Sequence, residues 1–177
     1  EITTRLVGSE MCIRDSPDSI GKLGWDAACT RVATWAKLKD KTTGKEFLML
    51  NTHFDHVGTE ARRNSALLII DKIKEIAGTH PAMMTGDFNV SEEWEAYKTI
   101  TSNEFVLKDA WKIAGKQSGE NYTFHDFGRV PVAEREKIDF IFVTPQIKVA
   151  DTEIISSAIT DSTYLSDHNA HLADLEF

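Results

Sequence analysis

The chain has 177 residues and a formal net charge of −8; 41% of its residues are hydrophobic and 27% are charged. These values are typical of a globular protein and exclude a disordered or fibrous chain. The longest apolar run, Ala66 to Ile70, is far shorter than the roughly 18 residues of a membrane-spanning helix, so we expect no transmembrane segment. The negative charge argues weakly against a protein that holds nucleic acid on a basic surface.

The first residues of the chain fit no structural pattern. They have neither an amphipathic period nor the apolar core of a signal peptide. The segment from Leu6 to Ser16 resembles the translation of a sequencing adapter. We therefore predict a non-native leader over residues 1–16 and a single domain over residues 17–177. On this hypothesis the natural start is missing and the cellular location stays undetermined, with a secreted or periplasmic protein among the alternatives.

The first predicted elements are a hairpin and a helix. Residues from Thr30 to Leu38 alternate in polarity, and a polar turn leads into an apolar run from Phe47 to Leu50. This pattern predicts a β-hairpin whose second strand ends at Asn51-Thr52-His53. Between Thr59 and Ala77, apolar residues recur at three- and four-residue spacing, which predicts an amphipathic helix that stops at Gly78.

The remaining chain predicts further strands and one more helix. A helix begins near Ser91, with Trp94, Tyr97 and Ile100 on its inward side. The predicted strands are Pro81 to Thr85, Lys137 to Val143, Val149 to Ile155 and Ala170 to Phe177. Because strands and helices interleave along the whole chain, the sequence predicts an α/β or α+β domain without internal repeats.

Polar residues that can bind metal ions or phosphate lie at the ends of several predicted strands. His53, Asp87 and Asn89 follow strands, Asp139 lies within one, and Asp167-His168 precedes the last. Strand ends are where α/β proteins assemble their sites. Taken singly, each has a structural alternative, because the Gly-Asp-Phe-Asn string could be a turn that caps a helix and an isolated histidine is usually not catalytic. All of these residues in this order along the chain would arise by chance much less often than any one of them alone.

Four ordered motifs resemble the signatures of the endonuclease/exonuclease/phosphatase family, and the similarity covers nearly everything from about Pro17 to Phe177. It implies a DNase I-like α/β fold, a sandwich of two β-sheets flanked by helices, and Mg²⁺-dependent hydrolysis of phosphomonoester or phosphodiester bonds by a phosphatase or nuclease. Arg62 matches the family's arginine beyond the first motif. The motifs are Asn51-Thr52-His53-Phe54, Gly86-Asp87-Phe88-Asn89, Lys137-Ile138-Asp139-Phe140-Ile141 and Ser166-Asp167-His168.

The resemblance also implies roles for individual residues. His168 would act as general base on a water molecule, and Asp139 would orient its ring. Asp87 would orient that water or assist the leaving group. Asn89 and His53 would donate hydrogen bonds to the phosphate oxygens.

Other residues of the motifs carry a metal role or alternatives that the sequence leaves open. Asp167 is the implied ligand of Mg²⁺, with Mn²⁺ as the alternative ion. Arg62 either binds the substrate or serves as a structural cation beside an acid. Asp55 and His56 either contact the substrate or hold their loop by hydrogen bonds. The segment Tyr122 to His125 resembles one that lines the family's cleft, but core packing of its aromatic rings is the favoured interpretation.

The chain also departs from the family's pattern. The family's early Asn motif and its metal-binding Gln-Glu dipeptide are both absent, and Gln117 and Gln146 are the only glutamines. The resemblance therefore identifies the chain as a C-terminal part of such a protein, with one sheet and part of the other. We expect the isolated chain to be poorly soluble, to bind metal weakly and to be nearly inactive.

The substrate class is not fixed by the sequence. Nucleic acid, a lipid head group and another small phosphoester all remain candidates, and the acidic composition favours the latter two over DNA repair. The alternative to an enzyme is a catalytically silent or truncated family member that acts as a binding protein. The complete set of motif residues argues against that alternative. We expect a monomer.

Overall fold

The computed structural model describes the backbone of residues 4–14 and, in full, residues 23–103, 105, 107–160 and 162–177. Its elements in chain order are β1 (Thr4–Arg14), β2 (Val32–Asp40), β3 (Glu46–His53), α1 (Thr59–Ala77), β4 (Ala82–Asp87), α2 (Glu95–Thr101), β5 (Lys108–Asp109), α3 (Ala110–Ile113), β6 (Lys116–Gly119), a 3₁₀ turn (Val132–Glu134), β7 (Asp139–Val143), β8 (Lys148–Ile155), β9 (Ala158–Thr160), β10 (Thr163–Tyr164) and β11 (Ala170–Glu176).

Two sheets form the framework. The larger has the strand order β1-β2-β3-β4-β7-β5, and the smaller has the order β11-β8-β6. In the larger sheet, β3 and β4 run parallel and the other neighbours run antiparallel. Helix α1 is the crossover that a parallel pair requires. The predicted two-sheet sandwich, with one larger sheet and part of a second, is confirmed.

Both faces of the larger sheet are covered over part of their area. One face packs against α1 and α2, where Leu48, Met84 and Phe142 are fully buried. The other face contributes Ile141 and Val143 to a smaller core against the second sheet. This arrangement follows from alternation along the strands, because successive side chains point to opposite faces. It leaves the carboxyl ends of β3 and β4 beside the gap between the two sheets.

The predicted hairpin and long helix are confirmed. Strands β2 and β3 pair antiparallel, and β3 continues through His53. Helix α1 ends at Ala77, and Gly78 follows it with φ +59. The predicted start of the next helix was wrong, because α2 begins at Glu95. Trp94 therefore precedes the helix and is 45% exposed instead of facing the core.

The predicted leader forms an edge strand in its described part. Residues 4–14, as β1, pair antiparallel with β2. Residues 1–3 and 15–16 lie outside the described residues. The non-native origin of residues 1–16 stays a prediction. Among the described residues, no α-helix is long and apolar enough to cross a membrane.

Candidate active site

Strand register places three polar residues in one row across the larger sheet. The parallel pairing of β3 and β4 sets His53 opposite Asp87. The antiparallel pairing of β4 and β7 sets Asp87 opposite Asp139. Because paired strands lie about 4.8 Å apart, residues that are distant in the sequence become neighbours. We call His53, Asp87, Asp139 and the adjacent His168 the catalytic row.

His168 joins this row from the loop before β11. Its Nδ1 lies 2.7 Å from Asp139 Oδ2, and its Nε2 lies 3.9 Å from Asp87 Oδ2. An Nδ1 that donates to Asp139 leaves Nε2 of the neutral ring without a proton. Phe124 packs against the imidazole with ring centres 5.0 Å apart. Thus Nε2 is held towards the row in the state that can accept a proton.

Asp87 is held on one side and faces two histidines on the other. Its Oδ1 accepts the Asn89 backbone N–H at 2.9 Å, and its Oδ2 lies 3.3 Å from His53 Nε2. The side chain of His53 is 52% exposed, whereas that of Asp87 is 16% exposed. Asn89 has φ +50, and its Nδ2 donates to the Phe54 carbonyl at 3.0 Å. Asn89 therefore fixes the backbone beside Asp87.

The environment shifts the pKa values of these side chains in different directions. The hydrogen bond that His168 donates to the Asp139 carboxylate raises the pKa of His168, and burial opposes that rise. Burial lowers the pKa of His53, and the charge of Asp87 acts in the opposite direction. Burial raises the pKa of Asp87, although the Asn89 N–H lowers it. Groups whose environments move their pKa values apart can take different acid and base roles.

The row opens into a cleft of about 470 Å³ between the two sheets. On the larger sheet, Asn51 donates to Thr85 Oγ1 at 2.9 Å beside the row. Asn169 and His171 line the opposite side, and sequence reasoning did not select either. Asn169 is 4% exposed and its Oδ1 accepts the Ser157 N–H, so it shapes the cleft wall.

Part of the catalytic row can hold a metal ion. One ligand atom from each of Asp87, Asp139 and His168 lies within 4.8 Å of the others. Mg²⁺ in proteins commonly uses one or two carboxylates and keeps water ligands for the substrate to replace, so the two carboxylates of this set fit the ion. Among the described residues, Asp167, the predicted ligand, does not belong to any group of three or more side chains that could hold a metal ion. Its Oδ1 lies 3.3 Å from Ser166 Oγ.

Arg62 and Asp55 stabilise the loop after His53. Asp55 is 2% exposed, and its carboxylate accepts backbone N–H groups from Ala28, Cys29, Val57 and Gly58. Arg62 is 4% exposed, its Nη1 donates to the Asp55 carbonyl at 3.1 Å, and its guanidinium stacks on Trp94 at 5.0 Å. Of the alternatives left open for Arg62 and Asp55, this geometry favours the structural one.

The Asp55→Asn variant is expected to lower the free energy of unfolding by about 3 kcal/mol, because an amide NH₂ would face two backbone N–H donors that lose their acceptor. Burial acts to raise the pKa of Asp55, but the four N–H donors hold it at about 2, below its ordinary value of 3.8. A depressed pKa contributes stability above pH 3.8 that is lost as the pH falls through about 2. Urea unfolding should therefore show the difference from wild type shrinking over that interval; a constant difference would contradict it.

The segment Tyr122 to His125 supports the catalytic row through hydrogen bonds to the backbone at the start of β7. Thr123 is fully buried, and its Oγ1 accepts the backbone N–H groups of Ile138 and Asp139, each at 3.0 Å. The aromatic rings of Tyr122 and Phe124, expected in the core, are only partly buried. Buried and partly buried side chains alternate along the segment, but Thr123 and His125 point inward instead of the two aromatic rings.

His125 anchors the loop that carries His168. Its Nδ1 accepts the Gly128 N–H at 3.1 Å, so in the neutral ring Nε2 carries the proton and donates to Ser157 Oγ at 2.9 Å. Ser157 Oγ in turn donates to the Ser166 carbonyl at 3.1 Å. Burial lowers the pKa of His125, which favours the neutral form that this chain of hydrogen bonds requires.

Comparisons with known proteins agree on the family. The sequence profile of the Endonuclease/Exonuclease/phosphatase family matches residues 8–168. The chain is 58% identical to a solved endonuclease/exonuclease/phosphatase from Bacteroides vulgatus, with a TM-score of 0.92, over 98% of this chain and 66% of that one. It is 32% identical to a mannosyl-6-phosphatase from Bacteroides thetaiotaomicron, with a TM-score of 0.88, over 99% of this chain and 68% of that one.

Curated sequences give a more distant match. The chain is 24% identical to Nocturnin from Drosophila melanogaster over 205 residues, which cover 86% of this chain and 29% of that protein. The chain thus spans about two thirds of the solved structures and about a third of the curated relatives that it matches.

Proposed function

Because the chain belongs to the endonuclease/exonuclease/phosphatase family, whose members hydrolyse phosphoesters with divalent metal ions, we propose that it hydrolyses a phosphoester at the catalytic row. The observation that carries this proposal is the position of His168. Its Nδ1 is paired with Asp139 at 2.7 Å, and its Nε2 faces Asp87 across 3.9 Å. That gap is too long for a direct hydrogen bond and suits a water molecule held between the two groups.

In the proposed reaction, Nε2 of His168 takes a proton from this water as the water oxygen bonds to phosphorus. The ester P–O bond breaks, and the departing oxygen takes up a proton. Asp139 keeps the imidazole in the correct tautomer and stabilises the charge that it gains. Asp87, which faces the same space, either orients the water or assists the leaving group.

His53 and Asn89 are the proposed phosphate ligands of the larger sheet. His53 is half exposed at the end of β3, and burial lowers its pKa, which favours the neutral form with a single N–H donor. Asn89 Nδ2 uses one N–H on the Phe54 carbonyl, so its second N–H stays available. Donors aimed at the phosphate oxygens stabilise the charge that develops in the transition state. A substrate role for Arg62 has less support, because its guanidinium is buried in the loop.

A bound Mg²⁺ would neutralise phosphate charge and polarise the P–O bond. We propose Mg²⁺ as the resident ion, with Mn²⁺ as the alternative, and Asp87 and Asp139 as carboxylates that can approach it. Asp167 is kept as a further proposed ligand because of its motif, and the Asp167→Asn variant tests it. Weaker Mg²⁺ binding in titration calorimetry would support that role; unchanged binding would remove it.

The substrate class that we propose first is a phosphorylated sugar. The mannosyl-6-phosphatase match extends over nearly the whole chain at 32% identity. The net charge of −8 disfavours a long polyanion such as nucleic acid, because the chain would repel it outside the immediate site. A lipid head group remains the second candidate.

The test is phosphate release by the full gene product from sugar phosphates, nucleotides and phospholipids, with Mg²⁺, with Mn²⁺ and with a chelator. We expect turnover that the chelator abolishes, and a loss of about 10²-fold in the Asp87→Asn variant. The matched control is Asp71→Asn, which makes the same charge change at an exposed position of α1. Equal rates for the wild type and Asp87→Asn, or no turnover of any substrate, would favour the silent binding protein instead.

A further inference from the structure

The structure has a second cleft, of about 600 Å³. It is formed by the loop between β6 and β7 and by the segment between β8 and β11. We call it the loop cleft. Among the residues that line it are Glu120, Tyr122, Gly128, Arg135 and Tyr164.

Topology places the loop cleft at the same end of the sandwich as the catalytic row. One of its loops leads directly into Asp139 at the start of β7, and the other leads into His168 before β11. Phe124 packs on His168 at 5.0 Å, and Tyr122 lies two residues earlier, which is at most about 7 Å along the chain. A molecule whose phosphate lies at the catalytic row can therefore extend into the loop cleft.

Arg135 is the fixed cation of the loop cleft. Its Nε donates to the Val130 carbonyl at 2.9 Å, its Nη1 donates to Tyr122 Oη at 2.7 Å, and it stacks on the Tyr122 ring at 5.0 Å. Among the residues that the structure describes, no carboxylate oxygen lies within 4.0 Å of its guanidinium nitrogens. A guanidinium has more N–H donors than these contacts use. Its planar fork is thus oriented and keeps donors for a ligand.

Tyr164 forms a second fixed wall. A Cβ atom added to Gly128 would lie 2.6 Å from the Tyr164 ring, so the glycine backbone packs flat against that ring. The His125 ring supports Tyr164 with centres 4.7 Å apart. Gly128 has φ +79 and follows Asp126 and Phe127, which also have positive φ. Strained backbone of this kind persists only where the surrounding structure determines it, so this wall is preorganised.

The lining chemistry suits a hydroxylated ring better than a simple anion. Tyr122 and Tyr164 line the cleft with aromatic edges and hydroxyl groups, Arg135 offers donors and Glu120 offers an acceptor. Glu120 would repel a second phosphate, whereas neighbouring sugar hydroxyls can donate to a carboxylate and accept from a guanidinium at once. We propose that the loop cleft binds the sugar ring of a phosphorylated hexose. This inference rests on the proposed function, because it assigns the phosphate of that substrate to the catalytic row.

The test compares Arg135→Ala with wild type in the full gene product, using mannose 6-phosphate and the sugar-free substrate p-nitrophenyl phosphate. We expect KM for mannose 6-phosphate to rise about tenfold or more with kcat within about twofold, since charged hydrogen bonds are lost in binding. Both constants for p-nitrophenyl phosphate should stay unchanged. Arg129→Ala is the matched control, because Arg129 is 73% exposed in the same loop and pairs with Asp126.

Three outcomes would overturn the inference. These are an unchanged KM for mannose 6-phosphate, an equal loss on both substrates, and a larger effect on a nucleoside monophosphate than on the sugar phosphate. If the wild type hydrolyses none of them, the proposed function fails and the loop cleft is tested by itself. In that case, ligand-observed NMR with mannose should show binding to wild type and Arg129→Ala but not to Arg135→Ala. Equal binding, or none, would then reject the sugar assignment.

Discussion

The His168→Ala variant of the full gene product is expected to lower kcat by about 10³-fold, the range in which a positioned general base contributes. The physical reason is that this imidazole is held by Asp139 at 2.7 Å and presents Nε2 towards Asp87. In the variant, the attacking water molecule no longer has a comparable base beside it. Steady-state phosphate release at saturating Mg²⁺ measures the loss, and KM should change much less.

His80→Ala is the matched control for this variant. His80 follows α1 near the opposite end of β3, and its Nε2 lies 3.9 Å from Glu46. We expect its kcat to stay within about twofold of wild type, because it contacts no group of the catalytic row and surface substitutions are usually mild. A His168→Ala enzyme that is as fast as this control would remove His168 from the mechanism.

The Gly86→Ala variant is expected to lower the free energy of unfolding by about 4 kcal/mol or more, which is exceptional for one added methyl group. A Cβ atom at this position would lie 1.9 Å from the Thr52 carbonyl oxygen of the adjoining strand. Strands β3 and β4 would have to separate at the point where His53 and Asp87 are paired. Chemical denaturation measures the loss, and the folded fraction should also lose activity because the row no longer aligns.

Gly78→Ala separates this clash from the general cost of replacing a glycine. Gly78 also has positive φ, at +59, but a Cβ atom there would meet nothing within 4 Å. It should therefore cost about 2 kcal/mol, the strain of placing an alanine at φ +59 and ψ −113, a conformation that a Cβ atom disfavours. Similar losses in the two variants would show that the contact with Thr52 is relieved at little cost.

Much of the fold could be predicted because its signals are local. Helix α1 is encoded by apolar spacing and by Gly78 after its end, and the β2–β3 hairpin is encoded by alternation around a polar turn. Apart from β1, which was set aside as part of the leader, the elements that were missed are short. Strand β6, Lys116–Gly119, has no apolar side chain at all, so only its pairing with β8 reveals it.

The motif residues could be named from the sequence, but their distances could not. The row of His53, Asp87 and Asp139 exists because β3, β4 and β7 are adjacent in one register. No local pattern reports which strands become neighbours or how they align. The spatial arrangement of the site residues could therefore be read only from the folded chain.

Hydrogen bonds, most of them long-range, favour the structural alternative for Asp55 and Arg62, which the sequence left open. Asp55 binds backbone groups at residues 28 and 29 as well as its own turn, and Asp26 accepts the N–H groups of Glu60 and Ala61 at the start of α1. These partners are separated by 26 to 35 residues in the chain. The position of Trp94 likewise depends on a partner that is distant in the sequence, because its ring stacks on Arg62 instead of joining the core.

The most direct test of the central claim is the pH profile of kcat/KM for wild type and Asp139→Asn. A base must be deprotonated to act, so activity falls as the pH drops through the pKa of His168, which the Asp139 hydrogen bond raises above 6.5. We predict that the Asp139→Asn enzyme is slower and that its acid limb lies at lower pH than that of the wild type. Identical acid limbs in the two enzymes would contradict activation of the attacking water by a His168–Asp139 pair.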